Sequence, residues 1–343
     1  MNDHRLENSV KPTEVMQVGL VGTGTIGSAW AAHFLAQGLD VIATDPSPQA
    51  EKHLRFAIDS AWPSLEKLGL ADGASRDRLR FTPSMEEALI DADFIQESTP
   101  ENEDIKDKVM AAISTVARPD VVIASSTSGI VPTRLQAQCK NPERMIVGHP
   151  FNPVYLIPLV EVVGGKQTAP ETINWAMEFY KHWGKSPLHC RHEILGHLAN
   201  RLQDALNCEA MYLISDGIAT TDELDAALTA GPGLRWALMG SFMTGHLAAG
   251  EDGLRAVLGG KFGHDVSNLK SPDLSEEMID RILKDTQSQV AEHSLKEIEK
   301  MRDEFLVGLI KLRAEIDDKY GFGQGRFLKS TRQGLVLTED EKQ

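Results

Sequence analysis

The chain has 343 residues and a mass of 37.6 kDa, enough for two domains with large buried cores. With 41% hydrophobic and 25% charged residues, its composition excludes disordered, collagen-like and disulfide-scaffold classes. A formal net charge of -15 repels polyphosphate at long range and argues against nucleic-acid binding. The opening stretch Met1 to Met16 is polar and lacks an apolar signal core. No apolar run approaches the ~20 residues of a bilayer span, so a cytoplasmic protein that engages no membrane is expected. Residues 1–14 read as a flexible end. The apolar run Met16 to Val21, a glycine cluster, a helical pattern from Thr25 to about Gln37 and the run Leu39 to Asp45 read as strand, helix, strand. Similar runs follow at Asp93 to Glu97, Val121 to Ser125, Met145 to His149 and Leu159 to Val163. Helical stretches between them, including Glu103 to Val116 and Glu171 to Trp183, predict a doubly wound, largely parallel α/β sheet over 15–192. After about Arg191 strand-like runs stop and periodic segments begin at 196–215, 221–230 and 274–289, so 193–325 is expected to be an all-helical domain that carries substrate and dimer contacts. Thr220 and Glu223 form a capping-box pattern, while Gly231, Pro232 and Gly233 break the chain. A polar tail over 326–343 is expected to fray. Cys139, Cys190 and Cys208 are odd in number and far apart. They read as reduced thiols and not as a disulfide framework or a metal site.

Gly22, Gly24 and Gly27 form a G-x-G-x-x-G with Thr25 and Ile26, placed after a strand and opening a helix. Gly22 permits the tight turn, Gly24 lets a pyrophosphate approach the backbone, and Gly27 lets helix pack on strand. A glycine turn that only packs helix on strand is the plainer alternative. Against it, Asp45 ends the next strand 18 positions after Gly27, where an acid takes ribose hydroxyls. The unit is therefore Rossmann-type with NAD as cofactor, because an acid there repels the extra phosphate of NADP. Lys52 and Arg55 in the following helix could soften that preference, or be solvated charges only.

His149 ends an apolar run and Glu161 follows twelve positions on. A histidine titrates near neutrality and can take an alcohol proton, while a buried carboxylate fixes its tautomer. An ordinary core imidazole fits the same position. The ordered set Gly22 to Gly27, Ile95 to Asn102 with Lys106, Ser125 to Ser128, His149 to Pro153, Glu161 and Gly196 to Leu202 resembles the 3-hydroxyacyl-CoA dehydrogenase superfamily from about Gln17 to His246. The resemblance implies that His149 is the general base, Glu161 its partner, and that Ser128 and Asn200 hydrogen-bond the reacting hydroxyl. It implies further that Asp45, Glu101, Lys106 and Asn152 line the cofactor, and that the protein is a homodimer. A turn role for Ser128 and a helix-surface role for Asn200 are the alternatives.

Within the superfamily, Gly231 to Ala237 departs from the acyl-CoA branch. It looks like the small-substrate branch that holds the L-carnitine dehydrogenases and the gulonate dehydrogenase or lambda-crystallin group. Arg235 can grip a carboxylate with two parallel hydrogen bonds, which a thioester does not require. A surface arginine in a helix connection is the alternative. Several longer runs are most similar to the carnitine enzymes, whose substrate L-carnitine carries a trimethylammonium group that aromatic faces can bind. Phe151, Tyr155, Trp236 and Phe242 are the available rings, each also suited to core packing. The resemblance thus implies NAD-dependent oxidation of a small 3-hydroxy acid. An L-gulonate-type dehydrogenase and a crystallin-like structural NAD-binding protein remain alternatives.

Overall fold

The computed structural model describes residues 10–237, 240–248, 275, 277 and 294–320. The expected helix over 274–289, the polar tail and residues 1–9 lie wholly or mostly outside the described residues. The chain divides into two compact units, one holding residues up to Leu198 and the other Ala199–Arg326.

The first unit is an eight-stranded sheet built from β1 (Gln17–Val21), β2 (Asp40–Thr44), β3 (Leu79–Phe81), β4 (Phe94–Glu97), β5 (Val122–Ser125), β6 (Met145–Pro150), β7 (Leu159–Gly164) and β8 (Ser186–Cys190). Its order is β3-β2-β1-β4-β5-β6-β7-β8. Neighbours pair in parallel except β6 with β7, which run antiparallel. The helices of this unit are α1 (Thr25–Ala36), α2 (Ala50–Leu68), α3 (Met85–Leu89), α4 (Glu103–Val116), α5 (Pro132–Leu135) and α6 (Pro170–His182). The central strands are buried along nearly their whole length, which is why they read as continuous apolar runs and not as alternation.

Two clusters fill the two faces. One packs Trp30 and Phe34 of α1 with Phe94 of β4 and with Trp175, Phe179 and Tyr180 of α6. The rings of Phe94 and Phe179 lie 4.1 Å apart, and Trp30 stacks on Phe34 at 5.1 Å. The other packs Ile95, Ile123 and Val147 of the sheet with Met110 and Ile113 of α4. Burying such rings contributes about 1.5–3 kcal/mol each. Residues 10–14, assigned by their polarity to a flexible end, are held instead. The indole N–H groups of Trp175 and Trp183 donate to the carbonyls of Val10 and Pro12 at 2.9 Å, a long-range tie that local polarity does not reveal.

In the second unit the described helices are α7 (Ala199–Ser215), α8 (Thr221–Ala230), α9 (Pro232–Trp236), α10 (Ser241–Ala248) and α11 (Leu295–Tyr320). The capping box opens α8: Thr220 Oγ1 accepts from the Glu223 amide at 3.3 Å, and Glu223 Oε2 accepts from the Thr220 amide at 2.9 Å. No strand occurs among the described residues of this unit, as expected for an all-helical domain. No described helix is long and apolar enough to cross a membrane.

Candidate active site

The glycine turn between β1 and α1 is tight at two of its glycines and open at the third. Gly22 sits at φ +89°, and a Cβ there would meet the Ser98 carbonyl oxygen at 2.7 Å. A Cβ on Gly27 would lie 1.9 Å from the Gly22 oxygen, so helix and turn approach as closely as backbones can. Gly24 differs: a Cβ there would meet nothing within 4 Å. No side chain caps α1 at Gly24, so its first amides are aimed at open space where an anion is favoured by the helix dipole. Thr25 is exposed and Ile26 half-buried at this rim.

Asp45 stands one residue beyond β2. Its Oδ2 accepts from the Thr23 amide at 2.9 Å and from Thr23 Oγ1 at 3.2 Å, while its Oδ1 accepts from the Ser47 amide at 2.9 Å. The carboxylate therefore shapes the glycine turn, and Oδ1, which accepts one bond only, keeps lone-pair capacity for a sugar hydroxyl. An open helix N-terminus beside a half-buried acid fits a dinucleotide.

At the C-terminal end of β6, on the same edge of the parallel strands as the glycine turn, the sheet itself assembles a hydrogen-bond chain. His149 and Glu161 are opposite partners in the antiparallel β6–β7 pair, which is the structural meaning of their twelve-residue spacing. His149 Nδ1 lies 2.8 Å from Glu161 Oε2, and both side chains are buried. Ser128 Oγ, in the loop after β5, is 3.0 Å from His149 Nε2. An ionised Glu161 only accepts, so Nδ1 carries the ring proton and Nε2 presents a lone pair. Phe151 packs edge-on to the His149 ring at 5.0 Å.

Glu101 and Lys106 serve this loop. Glu101 Oε1 accepts from the amides of Ser128 at 3.1 Å and Gly129 at 2.7 Å, and also from the Thr127 hydroxyl. Lys106 is buried against Glu97, with Nζ 2.8 Å from Oε1 and 3.0 Å from the Thr99 carbonyl. Its distance to Glu101 Oε2 is 3.8 Å. Lys106 thus braces the segment that carries Glu101, and its buried partner Glu97 is a residue that sequence reasoning gave no role. Asn152 is exposed just after β6. Tyr155 is half-buried and packs against the aromatic core cluster.

His197 is the other residue passed over. The residue is 1% exposed, and its ring lies 4.9 Å from that of His149, centroid to centroid. Nε2 is 3.2 Å from the Thr127 carbonyl oxygen, and burial pushes the imidazole below its ordinary pKa. Its backbone is left-handed at φ +49°, after Gly196 at +74°, a conformation that costs an L-residue roughly 1–2 kcal/mol. The next amide, that of Leu198, donates to Glu161 Oε1 at 2.9 Å. The sequence signal was a polar ring in the run Gly196 to Asn200.

The second unit carries the remaining candidates. Asn200 lies half-buried in the first turn of α7, and Arg235 is exposed near the end of α9. Trp236 is 43% and Phe242 70% exposed, so neither ring is consumed by packing.

Residues 17–194 match the family described as 3-hydroxyacyl-CoA dehydrogenase, NAD binding domain, and residues 196–292 match its C-terminal domain. The chain is 50% identical over 309 residues to an L-carnitine dehydrogenase of Bacillus cereus, covering 89% of this chain and 94% of that one. To an L-carnitine dehydrogenase of Pseudomonas aeruginosa it is 48% identical over 314 residues, covering 90% and 98%. Among solved structures, 5-formyl-3-hydroxy-2-methylpyridine 4-carboxylic acid 5-dehydrogenase, an NAD+-dependent dismutase, aligns with a TM-score of 0.75 at 29% identity, over 87% of this chain and 98% of that one. The chain belongs to the 3-hydroxyacyl-CoA dehydrogenase family and carries both its NAD-binding and its C-terminal domain.

Proposed function

We propose that the protein oxidises the 3-hydroxyl of L-carnitine to 3-dehydrocarnitine with NAD. The observation that carries this reading is the Ser128–His149–Glu161 chain, present in a sequence similar to L-carnitine dehydrogenases over nine tenths of its length. His149 Nε2 takes the hydroxyl proton, and the ring becomes an imidazolium beside a buried carboxylate, where the charge is stabilised in a site of low dielectric. Ser128 and Asn200 hold the hydroxyl oxygen. NAD, when bound, accepts the hydride from the carbinol carbon. Gly22, Gly24, Thr25, Ile26 and Gly27 take its pyrophosphate, Asp45 its ribose, and Glu101, Lys106 and Asn152 shape the nicotinamide side.

Arg235 reads the substrate carboxylate, and the open faces of Trp236 and Phe242 suit the trimethylammonium. Exposed Leu202, Met301, Phe305 and Leu312 on α7 and α11 support assembly as a homodimer through the helical unit. A cytoplasmic location accords with the three free cysteines.

The test is NADH formation measured side by side with L-carnitine, D-carnitine, L-gulonate and 3-hydroxybutyrate. L-Carnitine should give the highest kcat/KM, and a higher value for L-gulonate overturns the assignment. Replacing His149 by Gln should lower kcat by on the order of 10²-fold or more while NAD still binds.

A further inference from the structure

We propose that His197 is a positioning residue that locks the Ser128 loop in place beside His149. The inference rests on the roles of Ser128 and His149 given above. A carbonyl oxygen can only accept, so the bond between His197 Nε2 and the Thr127 carbonyl places the ring proton on Nε2. The peptide between Thr127 and Ser128 is then held at both ends. Its N–H goes to Glu101 Oε1 at 3.1 Å and its C=O to His197. A peptide plane pinned at both ends fixes the direction in which the Ser128 side chain leaves the backbone, and hence its 3.0 Å approach to His149.

Two further observations assign the imidazole to this task. Nδ1 of His197 is buried without a hydrogen-bond partner, an unfavourable state that a phenyl ring of similar shape would avoid. What the phenyl ring lacks is the N–H. In addition, the Leu198 amide secures Glu161 Oε1, so one left-handed turn, Gly196 and His197, steadies the groups on both sides of the base. Burial keeps His197 neutral, so it supplies a donor to the loop without adding a second positive charge next to the imidazolium of His149.

The experiment is a double-mutant cycle with the full-length enzyme and the substrate of highest kcat/KM. His197→Phe and His197→Gln are made in the wild-type and Ser128→Ala backgrounds. His197→Phe should lower kcat about tenfold, the loss of one backbone-directed hydrogen bond, with KM for NAD changed less than twofold. His197→Gln, which offers an N–H at similar reach, should recover most of that loss. In the Ser128→Ala background His197→Phe should cost less than twofold, because the residue it positions is gone. A tenfold loss in both backgrounds, or an unchanged kcat in His197→Phe, overturns the proposal. Should His197→Phe not fold, His197→Asn tolerates the left-handed backbone, is too short to reach Thr127, and decides by the same criteria. Wild-type turnover of L-carnitine is recorded alongside, so failure of the substrate assignment shows there and not in the cycle.

Discussion

Replacing Glu161 by Gln keeps the shape of the side chain and changes two hydrogen-bond valences. In the native site Oε2 accepts from His149 Nδ1 at 2.8 Å and Oε1 accepts from the Leu198 amide at 2.9 Å. A glutamine has one acceptor end and one donor end. If its oxygen faces Leu198, its NH₂ donates to His149 Nδ1, the ring proton moves to Nε2, and the base is lost. If its oxygen faces His149, the tautomer is right but two N–H groups oppose each other at Leu198 in a buried site, which costs about 1–3 kcal/mol. The imidazolium formed during oxidation also loses a charge-assisted partner, worth another ~1–2 kcal/mol. Together these predict a fall in kcat of about 30- to 5,000-fold, since each 1.4 kcal/mol is tenfold. The affinity for NAD should change less than threefold. The assay is NADH absorbance under saturating carnitine, with NAD binding followed by fluorescence. Retention of a third or more of wild-type kcat would refute the tautomer argument.

Asp45→Ala should weaken NAD by about 10- to 100-fold, the loss of charge-assisted hydrogen bonds, and narrow the preference over NADP; equal affinities before and after would remove Asp45 from the cofactor site. Arg235→Met should raise KM sharply for every 3-hydroxy acid with a free carboxylate, and an unchanged KM would free the arginine from that role. Trp236→Leu or Phe242→Leu should cost carnitine about two- to thirtyfold and 3-hydroxybutyrate much less; equal losses for both substrates would mean the rings only pack. Lys185 Nζ is buried against the carbonyls of Val154 and Ile157, and burial lowers its pKa to about 7. Below that pH the folded protein bears the full cost of a buried charge. Between about 7 and the ordinary lysine value the unfolded chain binds the extra proton, so this residue's contribution makes stability rise with pH, by on the order of 5 kcal/mol across the window. The neutral amine still has two N–H groups for the two carbonyls. The Tm of wild type minus that of Lys185→Met should therefore increase from pH 7 to pH 10, and a flat difference counts against the shift.

The parts of the fold legible in the sequence are those whose burial is continuous. β1, β2, β4, β5, β6 and β7 each lie within or one residue from a predicted apolar run, and the capping box marks the start of α8. Two edge strands were missed. β3 has only three residues, and β8, Ser186–Cys190, contains Pro187 and exposes the neighbouring Leu188 and His189, as an edge strand can. In the site, the glycine turn, Asp45, His149 and Glu161 were readable because a strand end or a fixed spacing announces each. Glu97 and His197 were not. Their partners, Lys106 and Ser125 for the one and Thr127 for the other, meet them only once the sheet order is known.

The rung-to-rung pairing of β6 with β7 ties chemistry to melting. His149 and Glu161 are held by neighbouring strands of one sheet and not by a flexible loop, so the base and its acid stand assembled before any substrate arrives. No closing motion is needed to build the pair, and none can take it apart while the sheet survives. On heating, loss of the His149 Nδ1 proton resonance that reports the bond to Glu161 and loss of strand signal should accordingly be a single event.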